Sequence, residues 1–158
     1  MSPPWIYIAT SAYLKIFLKE EGSDKVRKMV KENRLLASAI LTSECFSAFS
    51  RRRQGKEIDN KTFDRLVNRV KKDVPYIEIV RLTDDVLRRT EEILLHSTVR
   101  TLDAVHIASA LLFQESTGIA LTFVTSDKRQ AEFTNDKGLK TIFVGRTAED
   151  GEIPNDRS

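Results

Sequence analysis

The sequence predicts an α/β fold with a mostly parallel central sheet flanked by helices. Short apolar segments rich in β-branched residues alternate along the chain with longer segments whose apolar residues recur at helical spacing. Because a helix separates each strand from the next, the connections are crossovers, which are typical of parallel strands. At 158 residues with 41% hydrophobic residues, the chain has room for one compact core.

The individual elements follow from these patterns in chain order. The predicted strands are apolar runs at 5–9, 35–41, 76–82, 120–125 and 140–144. Amphipathic or apolar stretches predict a helix that begins near Thr10 and others at 24–33, 44–53, 60–74, 84–95, 102–114 and 128–135. The candidate helix caps are Ser23, Thr42 or Ser43, Thr83 or Asp84, and Thr101.

The pattern predicts one domain over residues 1–145 and a polar tail over residues 146–158. No apolar run reaches the roughly 18 residues of a membrane helix, so we expect a cytoplasmic protein without a membrane partner. The single cysteine, Cys45, cannot form an internal disulfide, and no cysteine and histidine cluster indicates zinc.

The charge of the chain is mildly basic, with a net charge of +3. Basic residues cluster at 25–34, 51–56 and 61–72, all in the first half of the sequence. These clusters are compatible with a nucleic-acid partner, and they are equally compatible with solvated helix faces.

Three acidic residues occupy positions where an α/β sheet places ligand-binding groups. Asp127 follows a predicted strand, while Glu44 and Asp103 stand in the first turns of predicted helices. Carboxylates that share a pocket repel each other unless a cation joins them, and oxygen ligands suit Mg²⁺ or Mn²⁺. The alternative interpretation is that each residue only caps a helix or interacts with its dipole.

The alternative explains Asp103 least well, because the residue stands just ahead of an almost uncharged helical segment. An unpaired carboxylate is costly in such apolar surroundings. Arg100 is positioned to pair with it, and His106 is interpreted as a structural histidine. The sequence contains no phosphate-binding glycine loop and no nucleophile elbow, and Cys45 lies in an apolar helical stripe.

Four segments in order carry a family resemblance: Ile6 to Ala12, Thr42-Ser43-Glu44, Arg100 to Ala110, and Thr125-Ser126-Asp127. Together they resemble the PIN-domain ribonucleases, specifically the VapC toxins of prokaryotic toxin-antitoxin pairs. The resemblance implies a PIN-like fold, a Mg²⁺- or Mn²⁺-dependent endonuclease acting on single-stranded RNA, a homodimer and a cognate antitoxin.

The resemblance also assigns site residues. Glu44, Asp103 and Asp127 match the family's acidic, metal-binding positions, and Thr10 or Ser11 matches the hydroxyl next to the first acid. We expect that hydroxyl to bind the substrate's scissile phosphate or to fix a metal-bound water. The family's first acidic residue ends the first strand, where this sequence has Ala9. Because an alanine side chain cannot bind a cation, we expect impaired catalysis. Both a naturally degenerate homologue and a deliberate replacement of the acid explain Ala9.

Three functions remain open on the sequence alone. The first is a toxin-type endoribonuclease inactivated at Ala9, in which the basic clusters track the RNA backbone. The second is a non-catalytic module that binds RNA or protein on the same scaffold. The third is a DNA nuclease or phosphatase with the same carboxylate chemistry.

Overall fold

The structure is a computed structural model that describes residues 2–146. Its five strands form one sheet in which every neighbouring pair is parallel. The strands are β1 (Trp5–Ile8), β2 (Arg34–Ser38), β3 (Glu78–Val80), β4 (Thr122–Thr125) and β5 (Lys140–Phe143). This architecture confirms the predicted fold class.

Helices connect these strands and cover both faces of the sheet. They are α1 (Thr10–Tyr13), α2 (Ser23–Glu32), α3 (Leu41–Gln54), α4 (Asn60–Asp73), α5 (Asp84–Leu95), α6 (Thr101–Thr117) and α7 (Lys128–Asp136). Short 3-10 turns at Leu14–Ile16 and Val74–Tyr76 extend α1 and α4. No helix in the described part of the chain is long and apolar enough to cross a membrane.

The strand order β3-β2-β1-β4-β5 places β1 at the centre of the sheet. Alternate side chains of β1 enter two different cores, because successive residues of a strand point to opposite faces. Ile6 and Ile8 pack in the core that contains Phe49, and Tyr7 packs in the core that contains Phe123 and Ile107. The chain first places β2 and β3 on one side of β1 and later places β4 and β5 on its other side. The strand order therefore reverses beside β1. In parallel sheets such a reversal opens a cleft at the carboxyl ends of the strands.

The strand predicted at 35–41 was too long. β2 ends at Ser38, and α3 already begins at Leu41. The segment is continuously apolar because Leu41 is fully buried in the helix as well, and apolar character alone does not separate a buried strand from a buried helix start. The predicted strand at 76–82 was also too long, since Pro75 and its neighbours form a 3-10 turn before β3.

The predicted caps were wrong at the starts of three helices, α2, α3 and α6. Thr42 and Ser43 lie inside α3, Ser23 is the first residue of α2, and Thr101 is the first residue of α6. Gly22 precedes α2 with a left-handed φ of 85°. Thr83 does cap α5, because its hydroxyl accepts a hydrogen bond from the backbone N–H of Val86.

Candidate active site

A cavity of about 460 Å³ opens at the carboxyl ends of β1 and β4, beside the reversal of strand order. All the predicted site residues line it: Ala9, Thr10, Ser11, Glu44, Asp103 and Asp127. Arg51, Arg100, His106 and Gln130 line it as well. We call this cavity the acidic pocket.

Ala9 stands where β1 passes into α1. Its backbone N–H donates to the carbonyl of Val124 at 2.9 Å, so the sheet fixes its position, and the residue is 1% exposed. A methyl group has neither a lone pair nor a charge. The centre of the sheet therefore contributes no polar side chain to the pocket at this position.

A chain of hydrogen bonds joins the acidic pocket to the core. The hydroxyl of Thr10 donates to Glu44 Oε1 at 2.7 Å, and His106 Nε2 lies 2.7 Å from the same oxygen. On the other side of the ring, the hydroxyl of Tyr7 lies 2.8 Å from His106 Nδ1. Burial raises the pKa of Tyr7 well above its ordinary value, so its O–H stays protonated and can donate to Nδ1. His106 then directs an Nε2–H at Glu44.

These contacts fix the ionisation of Glu44. Burial alone would raise the pKa of its carboxyl group, but the hydrogen bonds from His106 and from Thr10 lower that pKa below its ordinary value. His106 is 2% exposed and both of its ring nitrogens have partners. His106 is therefore a buried histidine with both ring nitrogens satisfied, which agrees with its interpretation as a structural residue, although it also lines the pocket.

Asp103 and Asp127 share one guanidinium group. Arg100 Nε lies 3.4 Å from Asp103 Oδ2, and Arg100 Nη2 lies 3.7 Å from Asp127 Oδ2. Burial and repulsion from Asp127 raise the pKa of Asp103 above its ordinary value. The charge of Arg100 lowers this pKa by a smaller amount. The two carboxylates thus face the same space, as expected from the sequence, and Arg100 pairs with Asp103 as predicted.

The predicted hydroxyl groups at the end of β1 serve the structure. The hydroxyl of Ser11 accepts from the backbone N–H of Ser126 at 3.1 Å and lies 3.3 Å from Thr125 Oγ1. It therefore ties the carboxyl ends of β1 and β4 together. The hydroxyl of Thr10 is also engaged, but as a donor to the Glu44 carboxylate.

Asp127 combines a cap with its place in the pocket. Its Oδ1 accepts from the backbone N–H of Gln130 at 2.8 Å, which caps α7, while Oδ2 faces Arg100. The capping interpretation of this residue is confirmed for Oδ1, while Oδ2 remains at the pocket, where the site assignment stays a prediction.

Sequence reasoning missed Gln130. Its Oε1 accepts from the hydroxyl of Thr125 at 2.6 Å, and its Nε2 donates to the backbone carbonyl of Asp103 at 3.1 Å. The residue is 1% exposed and fixes the start of α6 against α7. An Asp followed three residues later by Gln is the signature of a capping box, which would have drawn attention to this residue.

The basic clusters contribute little to the pocket. Arg51 lines it and donates to the hydroxyl of Ser47 at 2.8 Å. Two neighbours are engaged elsewhere, since Arg52 pairs with Glu57 and the guanidinium of Arg53 lies 3.7 Å from the ring centre of Phe63. Arg51 and Arg100 are therefore the cations at this pocket.

The residues of the acidic pocket do not complete a metal centre. Within residues 2–146, no group of three His, Cys, Asp or Glu side chains is arranged to hold a metal ion. The donor chemistry explains this result: Ala9 offers no ligand, Glu44 is held by His106 and Thr10, and Arg100 supplies the positive charge between the two aspartates. The predicted set of Glu44, Asp103 and Asp127 shares one cavity without forming a ready cation site.

An open parallel sheet with carboxylates gathered where its strand order reverses defines an α/β protein with an acidic pocket at the carboxyl ends of its strands. The family model of the PIN domain matches residues 6–135, and the chain belongs to the PIN-domain family. Among curated proteins, none matches this chain in sequence.

Several solved structures share this fold. A toxin-antitoxin complex from Klebsiella pneumoniae is 12% identical with a TM-score of 0.64, covering 90% of this chain and 99% of that one. VapBC2 from Rickettsia felis, bound to a DNA fragment from its promoter, is 14% identical with a TM-score of 0.62, covering 88% and 98%. VapC20 from Mycobacterium tuberculosis, a sarcin-ricin loop cleaving toxin, is 13% identical with a TM-score of 0.61, covering 85% and 95%. At these identities the similarity establishes the fold.

Proposed function

We propose that this chain is the toxin of a toxin-antitoxin pair, built as a metal-dependent endonuclease for single-stranded RNA and impaired by Ala9. The observation that carries the proposal is the position of Ala9: it directly follows β1 and lines one cavity with Glu44, Asp103 and Asp127. Family membership and the fold of the toxins named above support it.

The chain's own residues divide into two roles under this proposal. Glu44, Asp103 and Asp127 supply negative charge to the pocket, and Mg²⁺ or Mn²⁺ is the cation that such oxygen donors favour. Arg51 and Arg100 stand at the pocket as cations for RNA phosphates. Thr10 is bonded to Glu44 and Ser11 to the β1–β4 junction, and both residues also line the pocket that would hold the substrate.

An acid at position 9 would change the balance of charge in the pocket. Its carboxylate would join Asp103 and Asp127 around one space, and a single Arg100 would then face three carboxylates. Like charges that crowd a partly buried pocket favour the uptake of a cation. The proposal therefore expects catalysis to return when Ala9 is replaced by an acid.

The test is metal-dependent cleavage of a structured RNA pool by this chain, by its Ala9→Asp variant and by Ala9→Asp combined with Asp103→Ala. Cleavage by the single variant alone, with Mg²⁺ or Mn²⁺, is the expected result. If a folded Ala9→Asp variant that binds metal leaves RNA, DNA and a small phosphate ester intact, the nuclease proposal fails. Cleavage of DNA or the ester in place of RNA would assign another substrate to the same chemistry.

The second candidate is a non-catalytic module that binds RNA or a partner protein. It is favoured by the partial compensation of charge in the pocket, where Arg100 already lies between Asp103 and Asp127. Salt-dependent RNA binding without cleavage, both before and after Ala9→Asp, is its expected behaviour. Cleavage by the Ala9→Asp variant would exclude it.

The proposal also includes partners and a location. Under it the chain works in the cytoplasm, forms a homodimer and is inhibited by a cognate antitoxin. Light scattering of the purified chain tests dimerisation, and co-purification with the product of an adjacent gene tests the antitoxin.

A further inference from the structure

The acidic pocket also contains apolar side chains. Leu14, Ile40, Ala48 and Leu102 line it beside the charged residues, and we call these four the apolar lining. Leu102 is 49% exposed, although residues 104–110, which follow it in α6, are all buried. Of the large hydrophobic side chains exposed within residues 2–146, it is the one that lines this cavity. A single exposed leucine is ordinary on a protein surface, but four apolar side chains inside one cleft indicate a contact surface for a ligand.

The apolar lining adjoins the two cations of the pocket. Ala48 stands three residues before Arg51 in α3, which places both side chains on one face of that helix. Leu102 follows Arg100 by two residues at the start of α6, and both line the cavity. A ligand in this space therefore meets positive charge and apolar surface together.

Arg51 lacks an acidic partner within residues 2–146. Its guanidinium group donates instead to the neutral hydroxyl of Ser47, at 2.8 Å. A guanidinium group without a counter-charge favours an anionic ligand, and phosphate oxygens match its fork of donors. A purely apolar segment of a partner protein would cover the apolar lining but would leave Arg51 without a counter-charge.

A nucleotide combines the two chemistries that this space offers. Its phosphate is an anion, and its base has two flat faces that pack against apolar side chains. The cavity of about 460 Å³ lies within the range of sites for one small ligand, about 300–1,000 Å³, so it has room for one nucleotide. In a duplex the faces of each base are covered by its neighbours, and only an unstacked base can turn a face toward the protein.

We propose that the apolar lining holds the face of one unpaired RNA base next to the phosphate that Arg51 binds. The proposal rests on the proposed function, since it places the RNA strand in the same pocket. It assigns the selection of single strands to Leu102 and its apolar neighbours, because the guanidinium groups bind the backbone of any nucleic acid. Leu102 is thus a residue that determines specificity, separate from the acidic residues.

The experiment compares two fluorescently labelled strands of equal length: an oligouridylate, and a strand whose riboses carry no base. Both strands have the same phosphates, so the difference between their affinities measures contacts with the bases alone. Fluorescence anisotropy is recorded in EDTA at several salt concentrations, so that metal-dependent cleavage consumes neither strand. The proteins are the full chain, Leu102→Ala and the matched control Leu87→Ala, whose leucine is 43% exposed on α5 outside the cavity. Circular dichroism checks that each variant is folded.

The unmodified chain is expected to bind the oligouridylate at least fivefold more tightly than the strand without bases. Leu102→Ala is expected to weaken oligouridylate binding about fivefold and to leave the other strand unaffected, because it removes apolar area that only a base covers. The slope of log affinity against log salt stays unchanged in this variant, since an apolar contact releases no counterions. Leu87→Ala should match the unmodified chain in every quantity.

Equal affinity of the two strands for the unmodified chain would overturn this proposal alone, and would leave the arginine contacts and the nuclease proposal in place. This comparison depends on no variant. An equal loss for both strands in Leu102→Ala would also overturn it, since a base contact affects one strand only. If neither strand binds, this proposal and RNA binding at the acidic pocket both fail. If Leu102→Ala changes neither affinity but abolishes co-purification with the product of an adjacent gene, the apolar lining belongs to a protein interface and the proposal is wrong.

Discussion

Glu44 Oε1 lies 2.7 Å from His106 Nε2, although the two residues are 62 positions apart in the sequence. This contact joins the first turn of α3 to the buried side of α6 and continues through His106 to Tyr7 in the central strand. A carboxylate of the acidic pocket is thereby held by the core of the protein. The pocket is a preorganised part of the fold.

The ionisation of Glu44 makes stability depend on pH. Its folded-state pKa is lowered, so its contribution is fully present above the pKa of an unfolded glutamate and is lost as the pH falls through the folded-state value. We expect the free energy of unfolding to fall below about pH 5, and to fall less steeply in Glu44→Gln. Urea denaturation at a series of pH values measures this. Glu32→Gln, at an exposed position at the end of α2, is the matched control, and a Glu44→Gln profile identical to that of the unmodified chain would contradict the role of the contact.

The two arginines at the acidic pocket are expected to dominate RNA binding. Arg51→Ala and Arg100→Ala should each weaken binding of single-stranded RNA and reduce the slope of log affinity against log salt by about 0.7, the value for one phosphate contact. Lys72→Ala, at an exposed position near the end of α4, should leave both quantities unchanged. Fluorescence anisotropy at several salt concentrations measures them. Equal losses in all three variants would instead indicate binding along the helix surfaces.

Gly22 is expected to be irreplaceable where α2 meets the end of β5. A Cβ atom at this position would lie 2.2 Å from the carbonyl oxygen of Val144, and φ is +85°. Gly118 also has a positive φ, +71°, but nothing lies within 4 Å of its added Cβ. We expect Gly118→Ala to cost about 1–2 kcal/mol for the left-handed backbone, and Gly22→Ala to cost clearly more. Thermal or urea denaturation compares them, and equal losses would show that the close approach to Val144 relaxes freely.

Sequence patterns predicted the features of this protein that are determined by residues close together along the chain. The alternation of strands and helices yielded the parallel sheet, and the rule for strand ends brought Asp103, Asp127 and Glu44 into one cavity. The helix cap at Thr83 also depends only on its neighbours and was predicted.

Features that depend on tertiary contacts could not be predicted from the sequence. The end of β2 is decided by pairing with β3 and by burial of Leu41, neither of which the apolar run reveals. The engagement of Glu44 by His106 and the bridging position of Arg100 between Asp103 and Asp127 join residues from different helices. The sequence could place these groups at one edge of the sheet, but only packing decides which atoms meet.

The central claim is that the acidic pocket lacks one ligand, at Ala9. The most direct measurement is calorimetric titration of Mn²⁺ into this chain, into Ala9→Asp, and into Ala9→Asp combined with Asp103→Ala. We predict at least tenfold tighter binding by Ala9→Asp than by either other protein, since its carboxylate completes the set around Asp103 and Asp127. Equal affinity of the original chain and Ala9→Asp would contradict the claim and would place any cation site away from the end of β1.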